Sequence, residues 1–332
     1  MYLCTTIFET KNNVKMEKQY SIGIDVGGTN TDIGLVDENG TIVARTNFST
    51  AEHNDINVYM DTIAEKVCEL LAYNNIKKIE GVGIGAPNGN YYTGCIDNAP
   101  NLHFGGNIKV KEMLESRLGV PVVLSNDANA AAYGEFVYGG GRGMKHFLMV
   151  TVGTGVGSGF VVDGKLVHGH GGAAGELGHS ILIPDGRQCS CGRKGCLEAY
   201  TSARGICQTC LELRNEMPEY NGVLANVDKE ALTSQMIGEA ANNGDALALK
   251  TFELTGRWLG LACANAVTFS SPEAIFLMGG PLKAGNVFVD PLKKSFDEHL
   301  LNIYKGTVDI RLSELKANDV AILGAAALLK NK

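Results

Sequence analysis

Residues 20–37 read YSIGIDVGGTNTDIGLVD, and residues 147–162 read FLMVTVGTGVGSGFVV. Each is an apolar strand, a turn of glycine and threonine, and a return strand. In the first, YSIGIDV (20–26) meets the turn Gly27-Gly28 and TDIGLVD (31–37) comes back. Glu38–Thr41 then turns the chain again into IVARTNF, a third strand. In the second, FLMVTVG (147–153) leads to Thr154-Gly155, VGSGFVV (156–162) returns, and Asp163-Gly164 turns once more. The two stretches are not sequence repeats. Their shared order predicts two similar α/β lobes facing one cleft, each offering it a β-turn.

Outward from these stretches, Val58, Ile63, Val67, Leu70 and Leu71 recur at helical spacing within residues 56–73. GVGIGAP (81–87) reads as a buried strand and loop, residues 109–118 as a helix, and PVVLS (121–125) as a strand. An alanine-rich helix starts at Asn126 and ends near Tyr138. GGGRG (139–143) marks a boundary. An N-terminal lobe over 20–138 is therefore expected, completed by a C-terminal helix in 318–331, with a second lobe over 139–317. In that lobe helices are expected near 197–216 and 232–243 and over about 245–270. PEAIFLMGGPLKAG (272–285) reads as strand, glycine turn, then helix, and 217–230 as a loop or insertion.

At 332 residues the chain can bury two cores, and 45% hydrophobic with 20% charged residues is the composition of a soluble globular protein. A net charge of −7 argues against a nucleic-acid surface. Residues 1–20 lack the apolar core of a signal peptide. The most apolar stretch, Trp258–Phe269, is too short to span a bilayer and carries Asn265. No membrane association is expected. Nine cysteines without a small disulfide framework fit a reducing compartment, so the cytoplasm is the expected location.

Three of those cysteines crowd into GELGHSILIPDGRQCSCGRKGCLE (175–198). His179, Cys189, Cys191 and Cys196 supply, within eighteen positions, the four donors of a tetrahedral zinc. Gly186, Gly192 and Gly195 let the short chain turn tightly enough to aim them at one point. The alternative is buried or disulfide-bonded thiols, which would not need the glycines or the histidine. The spacing is not that of a free-standing nucleic-acid finger. Four protein ligands leave no open position for water, so the metal is read as structural. Glu176 and Glu198 flank the ligands and are left over: either solvated or ion-paired acids, or acceptors for a polyol.

Three glycine turns carry the remaining chemistry. In DVGGTN (25–30), Gly27, Gly28 and Thr29 can turn N–H groups and a hydroxyl toward phosphate, and Asp25 can hold magnesium through water. TVGTGVGSG (151–159) repeats the device with Gly153, Thr154 and Gly155. MGGPLKAG (278–285) could let a nucleotide approach Gly279 and Gly280 closely. Alone, each is equally a plain hairpin or strand-to-helix turn; together they favour a nucleotide cleft. SNDANAAAYGE (125–135) puts Asn126 and Asp127 where a strand becomes a helix. Either they cap that helix, or Asp127 is a general base toward a hydroxyl. NAPNL (98–102) adds Asn101, an amide suited to a sugar hydroxyl or simply to a turn.

These motifs, with GAPN at 85–88, resemble the ROK family of sugar kinases and sugar-responsive repressors, from about Ser21 to Leu329. The resemblance implies a two-lobed, actin-like ATPase (ribonuclease H-like) α/β fold with a structural zinc loop in the second lobe. It implies ATP, Mg2+ and Zn2+ as cofactors, a hexose substrate, and a homodimer built on second-lobe helices. Asp127 would take the proton of the attacking sugar hydroxyl. Asn101, Asn126, Glu176, His179 and Glu198 would bind the other hydroxyls, with His179 also on the metal. The turns at 27–29 and 153–155 would clamp phosphates, and Gly279 and Gly280 would lie against adenosine. The leading reaction is glucose to glucose 6-phosphate; N-acetylmannosamine, N-acetylglucosamine, fructose and allose are the other candidates. A sugar-sensing regulator without turnover is the competing class. The family's repressors carry an N-terminal DNA-binding module, and the roughly twenty residues before the first strand are too few for one at typical helix lengths. Two positions depart from the pattern: Asp32 beside the first turn, and Phe104 where a tryptophan is frequent.

Overall fold

The computed structural model describes residues 18–99 and 102–331. Asn101 lies outside the described residues. The first sheet is built from β1 (Tyr20–Val26), β2 (Asn30–Asp37) and β3 (Ile42–Ser49), then α1 (Ile56–Tyr73) and β4 (Val82–Ala86). A small three-stranded sheet follows, of β5 (Gly89–Asn90), β6 (Cys95–Asp97) and β7 (Asn107–Ile108). Next come α2 (Val110–Leu118), β8 (Val122–Asn126) and α3 (Asp127–Tyr138). The strand order is β3-β2-β1-β4-β8, with the hairpin strands antiparallel and β1, β4 and β8 parallel.

The second half repeats the plan. It contains β9 (Phe147–Val152), β10 (Val156–Val162) and β11 (Lys165–Leu166), then α4 (Glu198–Thr201), α5 (Ala203–Glu216), α6 (Ser234–Asn242) and α7 (Ala246–Ser270). β12 (Ala274–Met278), α8 (Asn286–His299), β13 (Asp309–Leu312) and α9 (Val320–Ala327) complete it. Its sheet runs β11-β10-β9-β12-β13, again two antiparallel steps followed by two parallel ones. The mixed α/β class read from the two hairpins is the class observed.

The inner strands form where apolar runs are continuous, because both of their faces are covered. All five residues of β4 are buried, as are the first four of β12. Each sheet has its own apolar cluster, around Ile24, Ile63 and Leu124 in one case and Val150, Phe252 and Leu277 in the other. The last helix, α9, returns to the first sheet. A Cβ on Gly23 or Gly83 would stand 2.0 Å from Ile322 O or 1.8 Å from Ala325 O, so the helix backbone rests directly on these two glycines.

Several boundaries differ from the sequence reading. The helix expected near 197–216 is two helices, broken at Ser202 (φ −68°, ψ 168°), whose Oγ caps α5 by accepting from Gly205 N–H at 3.1 Å. The break lets Ala203 N–H reach Gly153 O at 2.8 Å, which ties α5 to the second glycine turn. The terminal helix spans Val320–Ala327 and tightens into a 3-10 turn at Leu328–Lys330. Among the described residues, no helix is long and apolar enough to cross a membrane.

Candidate active site

The parallel strands β4 and β8 of one sheet and β9 and β12 of the other end at a common cleft of about 440 Å³. Carboxyl ends of parallel strands are where open α/β sheets place ligands. Asn88, Asn126 and Asp127 line it from the first half; Gly153, Thr154, Gly155, Glu176, His179, Glu198 and Gly279 line it from the second. Asp25, Gly27, Gly28, Thr29 and Gly280 are not part of this lining. The turn at 27–30 is closed by Gly27 N–H donating to Asn30 O at 3.0 Å, and Thr29 O accepts from Thr50 N–H at 2.8 Å. Asp25 nonetheless belongs with the cleft electrostatically. Burial first, then the charges of Asp127 and Asp32, raise its carboxyl from 3.8 to about 6. Asp32 stands directly across the β1–β2 pair from it.

Asn126 and Asp127 open α3. Asn126 Oδ1 accepts from Ala128 N–H at 2.8 Å, so the capping role is real. Asp127 Oδ1 accepts from the same N–H at 2.8 Å, and the residue lines the cleft. Its side chain is reachable from the cleft, yet protein crowds it over the wider radius on which desolvation acts. That desolvation raises its carboxyl above the ordinary range, against the lowering effect of the helix N–H.

Opposite stand two more acids. Glu198 is fixed at both oxygens: Oε2 accepts from Val156 N–H at 2.9 Å and Oε1 from Ser190 Oγ–H at 3.1 Å. Glu176 is raised by burial, relieved by nearby His179, and raised again by Asp127 and Glu198. Ser158 steadies this wall, donating from Oγ to Gly175 O and accepting from Leu177 N–H. No local sequence pattern singles out Ser158.

Below Glu198 the donor atoms of His179, Cys189, Cys191 and Cys196 lie within 4.8 Å of one another. Sγ of Cys191 and Cys196 are 3.6 Å apart, and Cys189 Sγ is 3.7 Å from His179 Nδ1. Gly192 and Gly195 take φ of 87° and 80°, as the tight turns require. Gly186 does not; Asp185 holds the left-handed conformation instead, with φ 56°. Gly186 is needed for room, since a Cβ there would meet Tyr200 OH at 2.0 Å. Arg187, also missed in the sequence, anchors the loop. It donates to Ala199 O, Gly205 O and Thr209 Oγ1 and lies 4.5 Å over the Tyr200 ring.

Phe104 packs against Tyr59 in a tilted pair with centroids 5.0 Å apart, and Tyr59 OH pairs with Thr31 Oγ1 at 2.5 Å. The departure from tryptophan therefore faces the core. Gly279 has φ 129°, and a Cβ there would lie 1.8 Å from Val152 O, so no side chain fits at that point of the cleft.

The model of the ROK family matches residues 21–332. The glucokinase of Halalkalibacterium halodurans is 34% identical over 96% of this chain and 97% of that protein. The glucokinase of Streptomyces coelicolor is 34% identical over 93% of this chain and 97% of its own length. Among solved structures, a ROK family glucokinase from Streptomyces griseus, in complex with glucose and AMPPNP, superposes with a TM-score of 0.78. It is 32% identical and is covered completely by 94% of this chain.

Proposed function

The chain belongs to the ROK family, and from that premise we propose that it is an ATP-dependent hexokinase whose substrate is glucose, with Asp127 as general base. The observation that carries this reading is the carboxyl of Asp127. It opens onto a cleft shared by a glycine turn and three candidate hydroxyl partners, and its proton affinity is raised by desolvation.

Asp127 Oδ2 accepts the proton of the attacking hydroxyl, while Oδ1 stays bound to Ala128 N–H and keeps the carboxylate aimed. A raised proton affinity makes the carboxylate a stronger base toward the hydroxyl. Glu176, Glu198 and His179 hold other hydroxyls of the ring. Glu198 suits this because Val156 and Ser190 have already fixed its orientation. Backbone at Gly153–Gly155 faces the phosphates and Gly279 faces the adenosine. Transfer itself is then a matter of positioning and charge stabilisation. The three acids that line the cleft, with Asp25 nearby, repel a triphosphate; Asp25 would hold magnesium, which would supply the compensating positive charge. Closure of the two halves on the sugar excludes water and suppresses ATP hydrolysis.

The four donors at 179, 189, 191 and 196 fit zinc. Ligands about 2.3 Å from a tetrahedral centre stand about 3.8 Å apart, close to the sulfur spacing here. His179 would bind the metal through Nδ1, the nitrogen beside Cys189, leaving Nε2 for the sugar. A zinc bound there would hold the wall and leave the transfer to the residues of the cleft.

ADP release over a panel of hexoses and N-acetylhexosamines tests the reading. Glucose is expected to give the highest kcat/KM. Sugar-dependent ADP from none of them would refute the kinase assignment, and a higher value for another sugar would reassign the substrate.

A further inference from the structure

Among the described residues Glu135 is the one Asp, Glu, Lys or Arg whose side chain is completely buried, and nothing in the mechanism above uses it. Three uncharged donors hold it. Oε1 accepts from Gly140 N–H at 2.7 Å and Glu314 N–H at 3.2 Å, and Oε2 from Ser313 Oγ–H at 2.5 Å. The glycines at 139–141, which the sequence marks as a boundary, make room for this residue. A Cβ on Gly139 would stand 2.6 Å from Glu135 Oε1, and one on Gly141 3.0 Å from Glu135 O. A buried charge is costly even when hydrogen-bonded, and a well-packed apolar residue of similar size avoids that cost. Stability alone is a poor reason for a carboxylate here.

The topology supplies another reason. α3 follows β8 of the first sheet but lies on the second, where a Cβ on Gly157 or Gly159 of β10 would stand 2.7 Å from Ala128 Cβ or Ala132 Cβ. α9 follows β13 of the second sheet but lies on the first. The two helices thus change sides, and they meet with Gly134 against Gly324. Alanine methyls on glycines set the distance of α3 from the sheet but do not interlock, so they leave its position along its own axis free. Glu135 fixes that position. Ser313 and Glu314 begin the connection from β13 to α9, and Ser313 N–H is still held by Leu277 O of β12 at 2.9 Å. Asp127 is the first residue of the same helix, about 12 Å back along the axis.

We propose that Glu135 is a positioning residue of the transfer site: it ties the far end of the helix that carries Asp127 to the edge of the second sheet, and so fixes Asp127 against the turn at Gly153–Gly155. This rests on the kinase reading with Asp127 as base. Glu176, His179 and Glu198 stand on the second half without α3, so loosening the tie spoils transfer and spares sugar binding.

Three variants test it. Ser313→Ala removes the link to the second sheet and leaves Glu135 its two N–H partners. Glu135→Met removes all three bonds at similar volume. Glu135→Gln keeps them, since its oxygen still accepts from both N–H groups and its amide can donate to Ser313 Oγ. For each, kcat with glucose and ATP, glucose Kd by calorimetry, and hydrogen exchange over residues 127–131 are measured below the melting temperature. Ser313→Ala and Glu135→Met should lower kcat about tenfold or more, since a misplacement of about 1 Å can cost about a hundredfold. Glucose Kd should change less than about twofold, the signature of an interaction made only in transfer. Exchange at 127–131 should quicken, although those amides lie far from the substitution. Glu135→Gln should keep the natural values. If Glu135→Met does not fold, Ser313→Ala decides alone. Unchanged kcat and exchange in Ser313→Ala, as a purely structural carboxylate would give, overturn the proposal, and so does a Gln variant as impaired as Ser313→Ala. ADP release with no sugar would refute the kinase, while exchange at 127–131 still decides the tie.

Discussion

Asp25→Asn should stabilise the protein while disabling it, and the gain should depend on pH. In the unfolded chain this acid titrates near 3.8; in the fold, burial and the charges of Asp127 and Asp32 move it to about 6. Below about pH 4 both states carry the proton, and Asp25 costs the fold nothing. Between there and pH 6 the unfolded chain releases its proton first, so the fold is progressively disfavoured. Above about pH 6 the cost is complete. At about 1.4 kcal/mol per tenfold change in proton affinity, it amounts to about 3 kcal/mol. Asparagine has the same shape and no charge, so urea unfolding in metal-free buffer should find the variant about 3 kcal/mol more stable at pH 7.5. The two proteins should be nearly equal at pH 4. ADP release by the variant should fall steeply, because the residue that would hold magnesium is gone. A stability difference independent of pH, or one favouring aspartate at pH 7.5, would refute the electrostatic account of the β1 terminus.

Asp127→Asn is expected to lower kcat about 10²- to 10⁴-fold, with a smaller change in sugar KM; unchanged turnover would remove it as the base. In the natural chain kcat/KM should fall on the acid side with an inflection above the ordinary aspartate range, since desolvation raises this carboxyl. A profile flat down to pH 4 would contradict that shift. Protein purified without added metal should contain about one zinc per chain. Cys191→Ser should lose it and raise the sugar KM about tenfold or more. Cys191 is exposed, so the variant probes the metal more than the packing; an unchanged metal content would count against the site. Gly83→Ala should cost about 3 kcal/mol in urea unfolding, because the added methyl would stand 1.8 Å from Ala325 O. A loss under about 1 kcal/mol would mean α9 can lift freely.

What could be read from the sequence had a local period or a compact motif. The five-residue runs of β4 and β12 are apolar throughout, and both glycine hairpins announce their turns. Asn126, Asp127, Glu176, His179 and Glu198 stood out because each sits in a motif dense in glycine, cysteine or acid, and all five line the cleft. The strand β13 was missed: of Asp309, Ile310, Arg311 and Leu312 only the isoleucine is buried, the pattern of a short edge strand. Strands of two or three residues, as in β5–β7, are too short to show alternation. Ser158 and Arg187 depend on contacts between distant segments, which no local pattern encodes.

The return of α9 to the first sheet has a consequence for biosynthesis. Gly23 and Gly83 leave the ribosome long before the helix that seals against them, which ends at Ala327. About 180 residues separate α3 from that helix, which at about 5–20 residues per second is roughly 10–40 s of synthesis. Throughout that time the glycine-lined face of β1 and β4 has no native cover. The first half of the chain must therefore wait for the last, and a stalled or shortened product would present an unsealed sheet to chaperones and proteases.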